Sequence, residues 1–336
     1  MNRTLKTITA ILGAGAMLLS SGSCMKLTKM QDATAESDVP PKLVFLGDSI
    51  AAGYGLDGYS PDDLYNCSSY ANILGERYRN ALDGKYDQVT VNDAVTGDTS
   101  SQLLAHIKEG EFDGALGGSD AVVISIGGND LLNVIWDITR DLGYDQENRK
   151  FSASDFDLIS AIFSIASFNE TVDEALSLFT RNLNEITDEI RTRTDAEIFV
   201  QTLYDPFSDL DVKFITDITG SRVAEFNSIV EENAEKDGTH RYTVVDVAKD
   251  LEGKSGELTN ISKYDVHPNQ EGHKVIAEAV DAAIHSHTYT YTYQEEVTDT
   301  GAVITLIWIC VAAAILIIAA AVLIVVKVKR KKENDT

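Results

Sequence analysis

Ala121-Val122-Val123-Ile124-Ser125-Ile126, closed by Gly127-Gly128-Asn129-Asp130, is a nearly unbroken apolar run that ends in turn residues. A strand that reads this way is covered on both faces, as in parallel sheets buried between helices. Segments of the same kind flank it at Lys42 to Leu46, Gln88 to Val95, Glu197 to Leu203 and Tyr242 to Val247. The intervals carry helical patterns. From about Glu170 to Arg193, Ala175, Leu176, Leu178, Phe179, Leu183, Ile186 and Ile190 keep one apolar stripe, with Asn169 as the expected N-cap. Further helices are predicted at Tyr70 to Leu82, Ser100 to Lys108, Ser221 to Glu235 and Gln270 to His285. Strands alternating with helices predict an α/β domain: a three-layer α/β/α arrangement around a five-stranded parallel sheet. Ligands of such sheets bind beyond the C-terminal ends of the strands.

The two ends of the chain read differently. Arg3 and Lys6 precede an apolar run from Ile8 to Leu19 and then Ser20, Ser21, Gly22 and Ser23, the order of a secretory signal over residues 1–23. Cys24 faintly resembles a lipoprotein acceptor, although Ser21 stands where such boxes carry a branched aliphatic residue. Residues 24–41 read as a polar leader and 288–301 as a stalk, although the Tyr-Thr alternation from Thr288 to Tyr293 also suits an edge strand. Ala302 to Val326 carries no charge, is apolar on every face and is long enough to span a bilayer. Lys327, Lys329, Arg330, Lys331 and Lys332 follow at once, so residues 327–336 are expected to stay in the cytoplasm as a basic tail. The expected location is therefore the cell membrane, crossed once, with the folded domain outside. Val297-Thr298-Asp299-Thr300-Gly301 resembles a degraded sortase signal without its usual Leu and Pro, so a plain membrane anchor is the expectation.

Composition sharpens this. The 336 residues carry 53 acidic and 28 basic side chains, a net charge of −25. Between residues 31 and 301 the balance is 51 acidic to 19 basic, or −32. Such a surface repels phosphate backbones, so no nucleic acid is expected as partner. Once the signal is removed, Cys24, Cys67 and Cys310 fall in the leader, the body and the membrane, which leaves no disulfide framework. Neither a metal nor another cofactor is expected, since no metal-type His/Cys spacing occurs.

Four loops after strands carry the chemistry. The first is Gly47-Asp48-Ser49-Ile50, followed by Ala51-Ala52-Gly53-Tyr54-Gly55. A serine in a tight strand-to-helix turn exposes its hydroxyl near a helix N-terminus. Ala94-Val95-Thr96-Gly97-Asp98-Thr99-Ser100 follows the second strand, where Gly97 lets an oxyanion reach its backbone N–H; Gly127-Gly128-Asn129-Asp130 follows the third and offers the Asn129 amide. Tyr264-Asp265-Val266-His267-Pro268-Asn269 follows the fifth and opens the last helix. Singly, each reads more readily as a helix cap, a β-turn or a structural His. Together they meet at one sheet edge.

In these four blocks, over roughly Pro40 to His287, the sequence resembles the SGNH hydrolases, the GDSL-type lipases and esterases, and reads as a membrane-anchored bacterial member with its hydrolase domain at 42–287. The resemblance implies a flavodoxin-like sheet, Ser49 as nucleophile and His267 as general base. It also implies an oxyanion hole built from the Ser49 N–H, the Gly97 N–H and the Asn129 side chain. One departure matters. The usual Asp lies three residues before the His, where Tyr264 stands here, whereas Asp265 lies two before. Asp265 is taken as the third member, with a main-chain carbonyl and a Ser-His dyad as the alternative.

Asp48, Gly128 and Phe207, the last in Asp205-Pro206-Phe207 after the fourth strand, are candidate substrate contacts. Leu131 to Phe168, with Trp136 and the apolar run Leu158 to Phe168, suits a lid or acyl-chain wall beside Asn129, or equally an added core helix. His285 and His287 read as solvated linker residues. The expected substrate is an acyl ester of a lipid, a lysophospholipid or an acylated glycan. An O-acetyl esterase or acyltransferase on cell-surface glycan uses the same residues, and the non-enzymatic rival is a surface binding protein with a relic site.

Overall fold

The computed structural model describes residues 27–334 apart from 83, 142–143, 146–149, 152–157, 210–212, 237 and 264. The signal segment, Cys24 and Tyr264 lie outside these residues. The chain divides into two units, Ala35–Tyr291 and a second that joins the residues up to Thr34 with Thr292–Thr336.

The larger unit is built on five parallel strands: β1 (Lys42–Gly47), β2 (Val89–Asn92), β3 (Ala121–Ser125), β4 (Glu197–Gln201) and β5 (Thr243–Val245), in the order β5-β4-β3-β1-β2. All four neighbouring pairs run parallel. The longer helices are α1 (Tyr70–Tyr78), α2 (Ser100–Glu109), α3 (Gly128–Asp141), α4 (Leu158–Arg191), α5 (Lys213–Ala234) and α6 (Gln270–Ile284). Alternate strand residues point to opposite faces, and this splits the core in two. Val44, Leu46, Val122, Ile124, Ile198 and Val200 pack with α2, α4 and α5. Leu43, Phe45, Ala121, Val123 and Phe199 pack with α1 and α6. The three-layer α/β/α architecture expected from the sequence is what forms.

Several corrections concern helix ends, among them α5, which begins at Lys213 rather than Ser221. Helix α4 begins at Leu158 rather than near Glu170, because no Gly or Pro interrupts the chain between Leu158 and the predicted start. Asn169 is therefore no cap; its Oδ1 accepts a hydrogen bond from Arg222 on α5 at 2.8 Å. The run Leu158 to Phe168 is the first part of this helix, although its side chains lie outside the description. Nor are His285 and His287 linker residues. His285 caps α6 and meets Tyr78 edge-on, while His287 stands edge-on to Phe199 at 5.2 Å and hydrogen-bonds Thr243 Oγ1 at 3.0 Å.

In the second unit, part of the strand Thr28–Ser37 pairs with part of the strand Tyr289–Thr298. Asp299 N–H donates to the Leu27 carbonyl and Gln294 donates to Asp32, so the two run antiparallel. The Tyr-Thr alternation thus begins a strand. Helix α7 (Thr300–Asn334) follows, and Thr300–Lys331 is long and apolar enough to cross a membrane.

Phe179 of α4 and Phe226 of α5 are fully buried with ring centroids 4.2 Å apart, so they carry much of one core. Phe179→Ala is expected to cost about 3–5 kcal/mol, read from urea titration of the detergent-solubilised chain. Truncating its neighbour Leu178, which is 40% exposed, should cost about 0.5 kcal/mol or less.

Candidate active site

Three of the four loops are stitched together by main-chain hydrogen bonds. Gly47 ends β1 with φ +141°, and a Cβ there would lie 2.0 Å from the Ser125 carbonyl oxygen of β3, so only glycine fits. The same carbonyl accepts the Asp48 N–H at 3.0 Å, and the Gly47 carbonyl accepts the Val95 N–H at 2.8 Å. Asp48 caps the single turn Ser49–Ala52, its Oδ1 taking the Ile50 N–H at 3.0 Å. Gly53, in the left-handed region, ends that turn.

The fourth loop brings the imidazole to Ser49. His267 Nε2 lies 2.8 Å from Ser49 Oγ. Asp265 Oδ1 lies 2.5 Å from His267 Nδ1 and also accepts the His267 backbone N–H at 3.0 Å. With the Nδ1 hydrogen directed to Asp265, Nε2 is left to accept from the Ser49 hydroxyl. The loop is held by Asn260 N–H to the His267 carbonyl at 2.9 Å and by the Tyr204 hydroxyl, which donates to the Val266 carbonyl at 2.8 Å. Sequence reasoning missed Tyr204, a buried tyrosine whose role depends on the loop it meets.

Asn129, in the first turn of α3, donates from Nδ2 to the Asp98 carbonyl at 2.8 Å, which ties it to the loop of Gly97. Gly97 is exposed with φ +93°, and nothing lies within 4 Å of where its Cβ would be. Behind them Asp130 accepts the Ser100 N–H at 2.8 Å and the Ser100 hydroxyl at 2.6 Å, and Asn182 of α4 donates to that hydroxyl oxygen at 2.9 Å. The structure thus ties Asn129 by one hydrogen bond to Asp98, the residue after Gly97, at the sheet edge that also carries Ser49, His267 and Asp265.

A cleft of about 710 Å³, open to solvent, runs from Ser49 and His267 toward the end of β4. Ile50, Leu131, Leu132, Val172, Leu203 and Phe207 give it apolar walls, and Gly128 and Asp48 also border it. Leu131 and Leu132 come from the stretch read as a lid or acyl-chain wall, and the Trp136 side chain lies outside the description. Among the described residues, no group of three or more His, Cys, Asp or Glu side chains is placed to hold a metal ion.

Burial pushes the Asp48 carboxyl up to about 7, with Asp130 and Asp98 adding repulsion against the Ile50 hydrogen bond. Burial raises Asp98 and Asp130 as well. On α6, His273 is fully buried, accepts the Tyr70 N–H at Nδ1 and is pushed down to about 3 by burial, with His267 adding to it.

The chain resembles known proteins over this same region. The model of the GDSL-like Lipase/Acylhydrolase family matches residues 45–275. The uncharacterized protein YpmR of Bacillus subtilis (strain 168) is 26% identical over 241 residues, covering 71% of this chain and 79% of its own. A lipase from a goat rumen metagenome, Lip_vut3, shares 20% identity and a TM-score of 0.52, over 72% of this chain and 96% of that one. An extracellular lipase from Streptomyces rimosus shares 20% identity and a TM-score of 0.51, over 72% and 99%. These two likenesses are of fold.

Between about pH 4 and 7 the folded chain keeps a proton on Asp48 that the unfolded chain has released, so this contribution to stability is present in acid and fades as pH rises through about 7. His273 works in the opposite sense: its contribution is present above about 6.5 and fades as pH falls toward 3. Asp48→Asn keeps an oxygen for the Ile50 N–H and removes the titration. Its stability should therefore climb relative to the parent by up to about 1.4 kcal/mol per pH unit from pH 4 to 7, read from urea midpoints. Parallel curves for the two proteins would show that Asp48 ionises freely in the folded chain.

Proposed function

The chain belongs to the GDSL-like lipase/acylhydrolase family and is an ester-hydrolysing enzyme, and from that premise we propose that it is a membrane-anchored serine esterase acting through Ser49, His267 and Asp265. The observation that carries this reading is the continuous relay from Ser49 Oγ to His267 Nε2 and from Nδ1 to Asp265 Oδ1, at 2.8 and 2.5 Å. His267 takes the hydroxyl proton as Ser49 Oγ attacks the ester carbonyl, and then gives that proton to the departing alcohol. Water activated by the same imidazole releases the acid. Asp265 holds the ring in the needed tautomer and balances the imidazolium.

The carbonyl oxygen becomes an anion in the first step. The donors assigned to it are the N–H groups of Ser49 and Gly97 and an Nδ2 hydrogen of Asn129, each contributing about 3 kcal/mol. Asn129 already directs one amide hydrogen at Asp98, which orients the group.

Acyl selectivity follows from the cleft. Walls of Ile50, Leu131, Leu132, Val172, Leu203 and Phe207 take in an aliphatic chain and offer little to an acetyl group. This supports fatty acyl esters over acetylated glycan. Of the candidate substrate contacts, Phe207 and Gly128 belong to this wall, and Asp48 acts through the turn that carries Ser49. The topology proposed is a domain outside the membrane, α7 as the single span and Lys327 to Lys332 in the cytoplasm.

The test is hydrolysis of esters of graded acyl length by the detergent-solubilised chain. Octanoyl esters should be turned over at least tenfold faster than acetyl esters, and Ser49→Ala should abolish both. No Ser49-dependent release on any ester sinks the enzyme assignment to this site, and a preference for acetyl overturns the cleft reading. Asp265→Asn should lower kcat by about a thousandfold or more; a loss below about tenfold would leave the Ser-His dyad.

A further inference from the structure

Tyr54 stands between Gly53 and Gly55 and is 42% exposed, although it lies against His267. Its ring lies 4.7 Å from the His267 ring, centroid to centroid, and meets Tyr59 edge-on at 5.4 Å. The Tyr59 hydroxyl is 2.6 Å from Thr96 Oγ1, on the loop of Gly97. The backbone on both sides is fixed. A Cβ at Gly53 would lie 2.6 Å from Cys67 Sγ, and one at Gly55 3.2 Å from Asp265 Oδ2, each at positive φ. An aromatic ring held this firmly and left in water is not there for the core; its open face is a contact surface.

This surface lies apart from the acyl cleft. The cleft starts at Ser49 and His267 and is walled by residues after β1, β3 and β4, by Val266 and by α4 and α5. Tyr59 is instead bonded to the loop after β2, which flanks β1 on the other side from β3. An ester carbonyl held at Ser49 with its acyl chain in the cleft directs its alcohol group away from the cleft. The alcohol then meets the His267 face, where Tyr54 stands and where the departing oxygen must collect its proton.

Resting on the esterase reading above, we propose that Tyr54, Tyr59 and Thr96 form the alcohol subsite, and that the alcohol they take is a neutral polyol, a sugar ring or glycerol. The chemistry of the surface selects that class. An aromatic face packs on the C–H side of a polyol, and the hydroxyls of Tyr59 and Thr96 are hydrogen-bonding partners for its hydroxyls. Charge disfavours the phosphorylated alternative. The segment 53–69 contains Asp57, Asp62 and Asp63 and the segment 93–99 contains Asp93 and Asp98, with no Lys or Arg in either. A phosphate-bearing alcohol would meet two segments that supply negative charge and neither Lys nor Arg.

The experiment compares one acyl group on three alcohols with the detergent-solubilised full chain: octanoyl glucose, ethyl octanoate and octanoyl glycerophosphate. The parent should favour the glucose ester over both others in kcat/KM. Tyr54→Ala should lower the ratio of glucose ester to ethyl ester about fivefold or more, chiefly through KM, and Tyr54→Phe should retain it. Taking the ratio removes any loss common to both esters through the Tyr54 contact with His267. A ratio in Tyr54→Ala within twofold of the parent overturns the subsite, as does equal turnover of the glycerophosphate ester at low salt. Ser49-dependent hydrolysis of ethyl octanoate tests the esterase reading by itself, so the two fail separately.

Discussion

At the register pair Gly47 and Ser125, β1 and β3 approach so closely that a Cβ on Gly47 would stand 2.0 Å from the Ser125 carbonyl oxygen. That carbonyl then receives the Asp48 N–H, which turns the chain out of the sheet and places Ser49 at the start of a helical turn. The adjoining loop from β2 is fixed on the same glycine through Val95. One missing side chain therefore sets the distances among the loops of Ser49, Gly97 and Asn129. The parallel topology supplies the shared edge, and the glycine supplies the closeness that chemistry at one carbonyl requires.

The edge is also where the fold accepts unfavourable electrostatics. Asp48, Asp98 and Asp130 are buried within one acidic domain, and burial raises the pKa of all three. Two of them have structural work to do. Asp48 caps the turn of Ser49 and Asp130 fastens the Gly97 loop through Ser100. A carboxylate serves at Asp130 because its two oxygens receive the Ser100 N–H and the Ser100 hydroxyl, which an apolar residue leaves unsatisfied. The penalty falls on stability, and it is concentrated beneath the site instead of spread over the core.

Much of this was legible in the sequence because it rests on local patterns. The run Ala121 to Ile126 forms a central strand, and the five segments pair in parallel as their apolar character implies. The start of α4 was misread because Asn169 has the chemistry of a cap, and nothing local shows that the helix continues past it. Helix boundaries are set by what the first turn packs against, which one segment does not reveal. Tyr204, Asn182 and Tyr59 escaped for a related reason. Each acts through hydrogen bonds to a segment distant in sequence, and a tyrosine or asparagine in a helix or loop carries no sign of its partner. Tyr54 did carry a sign, an aromatic between two glycines, but its meaning depended on seeing His267 beside it.

The spacing of Asp265 and His267 shows how a departure from pattern can be absorbed. With only Val266 between them, Asp265 Oδ1 accepts both the His267 backbone N–H and Nδ1, so the carboxylate closes a small ring over the residue it serves. In such a turn the carboxylate is positioned by the same backbone that carries the imidazole, and its placement does not rely on a separate strand or helix. The arrangement asks for room on its far side. Gly55 provides it, since a Cβ there would come within 3.2 Å of Asp265 Oδ2, and Gly55 holds a positive φ that favours glycine in any case. The loop after Ser49 and the loop before α6 are therefore matched to each other. The shorter spacing in one is accommodated by the missing side chain in the other, and Tyr54, the residue before that glycine, is set against the imidazole as a consequence.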